Sequence, residues 1–512
     1  MIFLRAKRSI LQNALLLTCA HLFLRCVSLL FQTVLARRLG AGSMGLLQLL
    51  LSAGALAASL AMAGVRTAAT CLCAQELGGG RPAGIRAAVR CCAQYALAAS
   101  CAAGLALWLL AGFVAERWLH DASAVPALRL LAVFLPASSL CAVLSGYCTA
   151  CSHIRRLAAL EIAEQLLALL LTLALLFFRA GDSPARCCCA VVLGSGLAEL
   201  ASDAALYALF RRDFAGVPRV RADGMRARFR RLCLPLGLSE CLRAGLGTLE
   251  QFLIPWGLVL SGLTRAAALS RYGLLRGMVF PLLMFPAAAL FSLAELLVPE
   301  LARCGAAART ERIRSLAAAC LRVGFVWTAA AAALLYLLAD PLGLLLYGNP
   351  DVGLWLRLFA PMALFLYMDA LVDAMNKGLG RQAACARINL LTSGLDVLLL
   401  ALLLPRLGMA GYCISFLAAH LLNFALSLRL LLRALKLSLR VSSACRAAFC
   451  ALLAAGACRC FPVPAAPLAQ AALFSAVFPA VLLPMLALTR ALAPEDRLRL
   501  RRAVPALDFH AK

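Results

Sequence analysis

Acidic residues are scarce in this chain of 512 residues: 23 Asp and Glu stand against 50 Lys and Arg, a formal net charge of +27. Charged residues of both signs make up only 14%, and the five histidines are never clustered. With so little histidine, the usual metal-ligand spacings do not arise. Catalytic signatures are missing too: there is no phosphate-binding P-loop, no His-Glu-x-x-His and no Gly-x-Ser-x-Gly elbow. Gly78-Gly79-Gly80 lies between apolar segments and reads as a turn. No connector is long enough to form a soluble domain. The expectation is a protein that is not an enzyme and that uses no cofactor and no metal.

What is present in excess is apolar. Hydrophobic residues reach 64% and the mean hydropathy is +0.91, where soluble domains run nearer half apolar. The chain is expected to cross a membrane many times. Its positive charge sits mostly in short connectors between apolar runs, as membrane orientation requires, which argues against nucleic-acid binding. Most of the 23 cysteines lie inside apolar segments, as in Cys91-Cys92 and Cys187-Cys188-Cys189. There they act as small hydrophobes rather than a disulfide framework. The basic start, Met1 to Arg8, leads into an apolar run too long for a signal peptide and without a small-residue cleavage site. It reads as a retained first helix.

Fourteen apolar segments have about spanning length: 10–36, 44–74, 88–115, 126–150, 157–179, 187–210, 233–260, 267–298, 315–339, 353–377, 385–405, 409–432, 441–460 and 468–490. The fold class is therefore an all-α polytopic membrane protein with fourteen transmembrane helices. Pro281 and Pro286 are expected to kink the eighth. With the N-terminus in the cytoplasm, the inside connectors hold 34 Lys and Arg and the outside connectors 11. That ratio places both termini inside. Arg25, Arg66, Arg243, Arg276 and Arg322 are left within apolar segments or close to their ends. Arg66 is near enough to a cytoplasmic end to snorkel.

The basic connector at 211–232 divides the chain into comparable parts. Shifting residues 21–32 by 218 positions lays Arg25 on Arg243 and Gln32 on Glu250. Shifting by 228 lays Leu128-Arg129-Leu130-Leu131-Ala132 on Leu356-Arg357-Leu358-Phe359-Ala360. The period is six spans, which makes a parallel repeat. The expected domains are a six-helix bundle at 1–210, the linker 211–232, a second bundle at 233–435, and two further helices with a basic tail at 436–512.

The first span carries a polar seam: His21, Arg25, Ser28 and Gln32 share one helix face. A guanidinium inside hydrocarbon costs at least a few kcal/mol, so Arg25 needs protein or a watery cavity. The repeat pairs it with Arg243, and the two are expected to face each other across a cavity between the bundles. Arginine forks suit phosphate oxygens. Arg276, one turn before Pro281, is a third candidate. The substrate-binding set is therefore Arg25, Arg243, Arg276, Ser28 and Gln32. The alternative is structural, with these arginines paired to Glu250 or other acids. Asp369, Asp373 and Asn376 share a face of the tenth span, and Asp396 lies in the eleventh. Asp369, Asp373, Asp396 and Glu250 are the candidates for ion coupling. Glu199, Asp203 and Glu295 form a weaker group.

Several stretches together resemble a known family. Leu24-Arg25, Ala36 to Leu46 (ARRLGAGSMGL), Ser145-Gly146-Tyr147, Leu160-Glu161 with Glu164-Gln165, Tyr272-Gly273, Leu297-Val298-Pro299 and Leu346-Tyr347-Gly348 resemble polysaccharide-type flippases. These belong to the multidrug/oligosaccharidyl-lipid/polysaccharide (MOP, MATE-like) exporter superfamily, and the likeness is to the stage V sporulation protein B branch. The resemblance implies two six-helix bundles plus two C-terminal helices around a cavity open alternately to each side. It implies a plasma-membrane protein moving undecaprenyl-pyrophosphate-linked sugars, lipid II or a spore-cortex or polysaccharide precursor, to the outer leaflet. Implied partners are that lipid-linked oligosaccharide, a coupling cation or the membrane potential, and cell-wall synthesis proteins. It also implies that cavity arginines hold the pyrophosphate. Two other readings stay open: a cation-coupled multidrug exporter, and a non-transporting scaffold for cell-wall synthesis.

Overall fold

The computed structural model describes residues 2–62, 64–78, 82–119, 121–151, 153–178, 183–215, 224–306, 310–437, 441–462 and 464–489. Side chains are described from Leu22 on, apart from positions 78, 82, 154, 155, 235, 236, 295, 296, 299, 303, 305, 306 and 441–444. The side chains of His21 and Glu295, residues Gly79 and Gly80, and the basic tail from 490 lie outside this description.

The described residues contain helices and no strand. In chain order the α-helices are α1 (Ile2–Met62), α2 (Val65–Gly78), α3 (Pro82–Phe113), α4 (Val125–Ala150), α5 (Ile154–Phe178), α6 (Pro184–Asp213), α7 (Met225–Leu260), α8 (Arg265–Leu274), α9 (Phe280–Met284), α10 (Ala287–Ala306), α11 (Thr310–Leu342), α12 (Pro350–Phe359), α13 (Ala363–Gly378), α14 (Gln382–Leu407), α15 (Met409–Leu435), α16 (Val441–Arg459) and α17 (Pro467–Leu488). Proline opens several of them, at Pro184, Pro350 and Pro467. At the first helical position its missing N–H costs nothing and its φ is already helical. Asn349 caps α12 by accepting from the Asp351 amide at 2.9 Å.

All fourteen expected segments are helical, but fewer qualify as spans. Among the described residues, ten helices are long and apolar enough to cross a membrane, or eleven if the bent pair Arg265–Met284 and Ala287–Ala294 is one span. One reason is that the first two segments form a single stretch, Leu22–Leu77. Uninterrupted, α1 would run ~90 Å at 1.5 Å per residue, about three bilayer cores. Gly40 breaks it, with φ 74 and ψ 171, inside the connector expected between segments one and two. The other reason is composition. The seventh segment (α7) carries Arg243, Glu250 and Gln251.

Two expected spans are broken. Segment 44–74 is interrupted at Gly64, whose φ of +73 suits a residue without Cβ. Segment 267–298 winds into a π-helical turn at Leu275–Val279 and bends by 63° before Ala287. Pro281 has no N–H to give the preceding turn and its ring crowds that turn's carbonyl. Widening to π geometry accommodates both, and such turns recur at functional sites.

The chain divides into two compact units: Met1–Gly273 with Val397–Tyr412, and Leu274–Asp396 with Cys413–Lys512. The first has a core of Leu72, Cys92, Leu144, Tyr147, Leu206 and Phe229, drawn from α2, α3, α4, α6 and α7. In the second, Ala451 and Ala454 of α16 and Phe474 and Phe478 of α17 pack with Ala329 and Leu337 of α11. Small residues on α11 and α16 let the backbones approach closely, which favours packing in lipid.

Candidate functional site

In the first unit, α7 is tied antiparallel to the second half of α1. Glu240 Oε2 accepts from the Gly64 amide at 2.7 Å, Cys241 Sγ donates to the Ser59 carbonyl at 3.5 Å, and Thr248 Oγ1 donates to the Ser52 carbonyl at 3.4 Å. At its N-terminal end the helix is pinned by Arg228, whose Nη1 lies 2.6 Å from Glu76 Oε1. These contacts fix which way α7 faces. Arg243 comes out exposed beside exposed Leu242, and Glu250 half-buried. Among the described residues Arg243 has no ion-pair partner.

On α1, Arg25 is exposed between Phe23 and Leu30, both also exposed. Ser28 and Gln32 are half-buried, and the Gln32 Oε1 atom is buried without a hydrogen-bond partner. Arg25 and Arg243 therefore belong to one unit, each presenting its guanidinium from an apolar helix. Arg66 pairs with Glu161 at 3.9 Å, with more than half of its own side chain exposed. At that separation and exposure the pair contributes under about 1 kcal/mol.

The glycines of the family-like stretches have a packing role. A Cβ on Gly273 would strike the Ala41 carbonyl and the Gly45 amide, and one on Gly45 would strike the Leu269 carbonyl. α8 and α1 therefore cross backbone to backbone at this pair. Next to it Tyr272, fully buried, donates to Gln251 Oε1. Tyr147 donates to Asp213 Oδ2 at 2.8 Å.

In the second unit, Arg276 lies in the π-helical turn with its guanidinium 5.0 Å above the Phe280 ring. Its Nε is buried without a hydrogen-bond partner. Phe280 in turn packs on Phe359 and Phe416, at 5.6 and 5.5 Å.

The acids of α13 sit in a polar network with α14 and α15. Thr392 Oγ1 donates to Asn423 Oδ1 at 3.0 Å, and Asn423 Nδ2 donates to Asp369 Oδ2 at 2.7 Å. Asp373 pairs with Lys377 at 2.6 Å, one turn along the same helix. Each of the two carboxylates keeps one buried oxygen, Oδ1, without a partner. Asp396 stands apart from this pair and accepts from Ser415 Oγ at 2.6 Å. Asp369 and Asp373 are thus brought together, and among the described residues no group of three His, Cys, Asp or Glu has metal-holding geometry.

Sequence reasoning gave little weight to a second acidic group, in the first unit. Ser138 Oγ donates to Glu199 Oε2 at 2.7 Å. One turn on, Asp203 is 6% exposed and neither carboxylate oxygen has a hydrogen-bond partner. The only signal in the sequence is the four-residue spacing.

Comparison with known proteins bears on the whole chain. The model of a family described as polysaccharide biosynthesis protein matches residues 10–303, more than half of the chain. Stage V sporulation protein B of Bacillus subtilis (strain 168) is 21% identical over 449 residues, covering 85% of this chain and 86% of that protein. Among solved structures, the lipid II flippase MurJ in an inward closed conformation superposes with a TM-score of 0.67 at 10% identity, covering 92% of this chain and 99% of that one. An inward-facing MATE-family multidrug resistance transporter of the MOP superfamily gives 0.63 at 14% identity, covering 82% and 99%. The fold is that of the MOP-superfamily transporters, in a multi-pass membrane protein.

Proposed function

We propose that this chain, which belongs to the polysaccharide biosynthesis protein family, is a flippase that moves an undecaprenyl-pyrophosphate-linked oligosaccharide to the outer leaflet of the plasma membrane by alternating access. The observation that carries the reading is the pair of exposed guanidiniums, Arg25 and Arg243, on apolar helices of one unit. Arginine forks suit an anion, and a pyrophosphate offers oxygens in the geometry they bind. Arg276, held over Phe280, is a further contact, with Ser28 and Gln32 as neutral partners for the sugar. That one structural neighbour is named a lipid II flippase adds support for lipid II or a related cell-wall precursor as cargo.

In this mechanism the bundle at 1–210 rocks against the bundle at 233–435 around the linker 211–232. The helices within 436–512 shelter the isoprenoid tail, and both termini are cytoplasmic. Outward transfer of an anionic headgroup is favoured by an inside-negative potential, by about 2.3 kcal/mol per charge per 100 mV. The Asp369 and Asp373 pair is the first candidate for a coupling cation or proton, with Asp396 and Glu250 as further ones.

A second reading is favoured by that acidic pair: a cation-coupled drug exporter, in which carboxylates receive a lipophilic cation. Labelling of outer-leaflet lipid II in cells depleted of the protein separates the two. A fall in the labelled pool supports the flippase. An unchanged pool, with increased sensitivity to lipophilic cations, overturns it.

A further inference from the structure

Three carboxyl groups meet where α5 and α6 of the first unit pack with α4, and each of these helices is long and apolar enough to cross a membrane. Glu199 stands near the middle of α6, ~22 Å from either end at 1.5 Å per residue. Asp203 is one turn further along the same helix. The third acid is Glu164 of α5. Glu199 and Glu164 are the carboxylates whose fields reach Asp203, and the Cys141 thiol of α4 lies against it. Beyond them Glu161 neighbours Glu164 and is paired with Arg66 of α2 at 3.9 Å. Among the described residues, Glu164, Glu199 and Asp203 have no ion-pair partner.

The three acids differ in what surrounds them. Glu199 and Glu164 are half-buried. Ser138 donates to Glu199 Oε2 at 2.7 Å, and the Ser202 hydroxyl serves Glu164. A carboxylate with a hydroxyl donor and some access to water can keep its charge. Asp203 has neither. It is 6% exposed, and both of its oxygens are buried without a hydrogen-bond partner. Ionised, it would lose its hydration and face two like charges inside an apolar helix bundle. The cluster is not built to share a metal ion, since among the described residues no group of three His, Cys, Asp or Glu has metal-holding geometry. A proton neutralises a single carboxyl and needs no coordination shell.

We propose that Asp203 is a proton-binding site of the first unit, carried as the neutral acid and emptied when water reaches the cluster. Glu199 and Glu164 remain the charged, half-buried members beside it. The site does not depend on the cargo reading, because none of its residues belongs to the set proposed to bind cargo. It also lies in a different unit from Asp369 and Asp373.

The test uses the full chain in lipid nanodiscs, with its aspartates labelled with carbon-13 at the side-chain carboxyl. Infrared spectra are taken at pH about 7, where an ordinary aspartate, at ~3.9, is ionised. The site predicts a protonated-carboxyl stretch that the label displaces, that is lost on raising the pH and that returns on lowering it. Asp203→Asn removes this band. Asp203→Glu keeps a protonated band but takes it out of the aspartate label, and because it retains the acid it serves even where the Asn variant fails to fold. Absence of the labelled band, a band indifferent to pH, or a band unchanged in both variants overturns the proposal. So does loss of the band on adding sodium chloride at constant pH, which would make Asp203 a sodium ligand instead.

Discussion

The amide of Gly64 donates to Oε2 of Glu240 at 2.7 Å, across 176 residues of chain. Gly64 is the left-handed break between α1 and α2, and its carbonyl accepts from Ala68 in the first turn of α2. Glu240 therefore supplies a carboxylate to the positive end of α2 while locking α7 in the orientation that leaves Arg243 exposed.

Removing that lock should loosen the first unit. Glu240→Ala is expected to cost about 1 kcal/mol from the lost charge-assisted bond, and Glu240→Gln less, because an acceptor remains. Gly64→Ala should cost about 1–2 kcal/mol from the left-handed backbone. The thermal unfolding midpoint of the purified protein checks all three. Equal midpoints for Glu240→Ala and the parent would remove the lock.

The crossing of α1 and α8 at Gly45 and Gly273 tolerates no side chain. Gly273→Val should disrupt it outright, with overpacking worth about 1–3 kcal/mol or more and loss of monodisperse protein on size-exclusion chromatography. Gly247→Ala, whose Cβ meets open space, should be silent in the same assay.

Asp369 and Asp373 differ in their partners, and their substitutions should differ too. Asp373→Asn leaves Lys377 without its carboxylate and should mainly lower stability. Asp369→Asn keeps the bond with Asn423 once the amides reorient, and should instead abolish the response of transport to an imposed proton or sodium gradient. Transport by Asp369→Asn that still follows the gradient would exclude that carboxylate from coupling.

Much of this was legible in the sequence because a bilayer writes strong signals. The apolar runs gave the all-helical class, although ten or eleven of the described helices rather than fourteen are long and apolar enough to span, and Pro281 announced the break in the eighth. What periodicity could not show was the length of α1 across Gly40 or the break at Gly64, since a glycine in an apolar run is read as packing as readily as a turn. The reach of long-range contacts was also hidden. Nothing local joins Glu240 to Gly64, or Asn423 to Asp369. A cavity beside α7 was hidden in the same way, because Arg117 and Arg265 belong to two different connectors and only the fold brings both to its wall.

The arginine pair is most directly tested by translocation in proteoliposomes, following transfer of a fluorescent undecaprenyl-pyrophosphate-linked sugar between leaflets. The clamp predicts that Arg25→Ala and Arg243→Ala each reduce the rate at least about tenfold, the loss of one charge-assisted contact, while the protein still inserts and stays monodisperse. Lysine at either position should restore only part, because it lacks the fork. A double Arg25→Ala/Arg243→Ala variant that moves the lipid at the unaltered rate would contradict it.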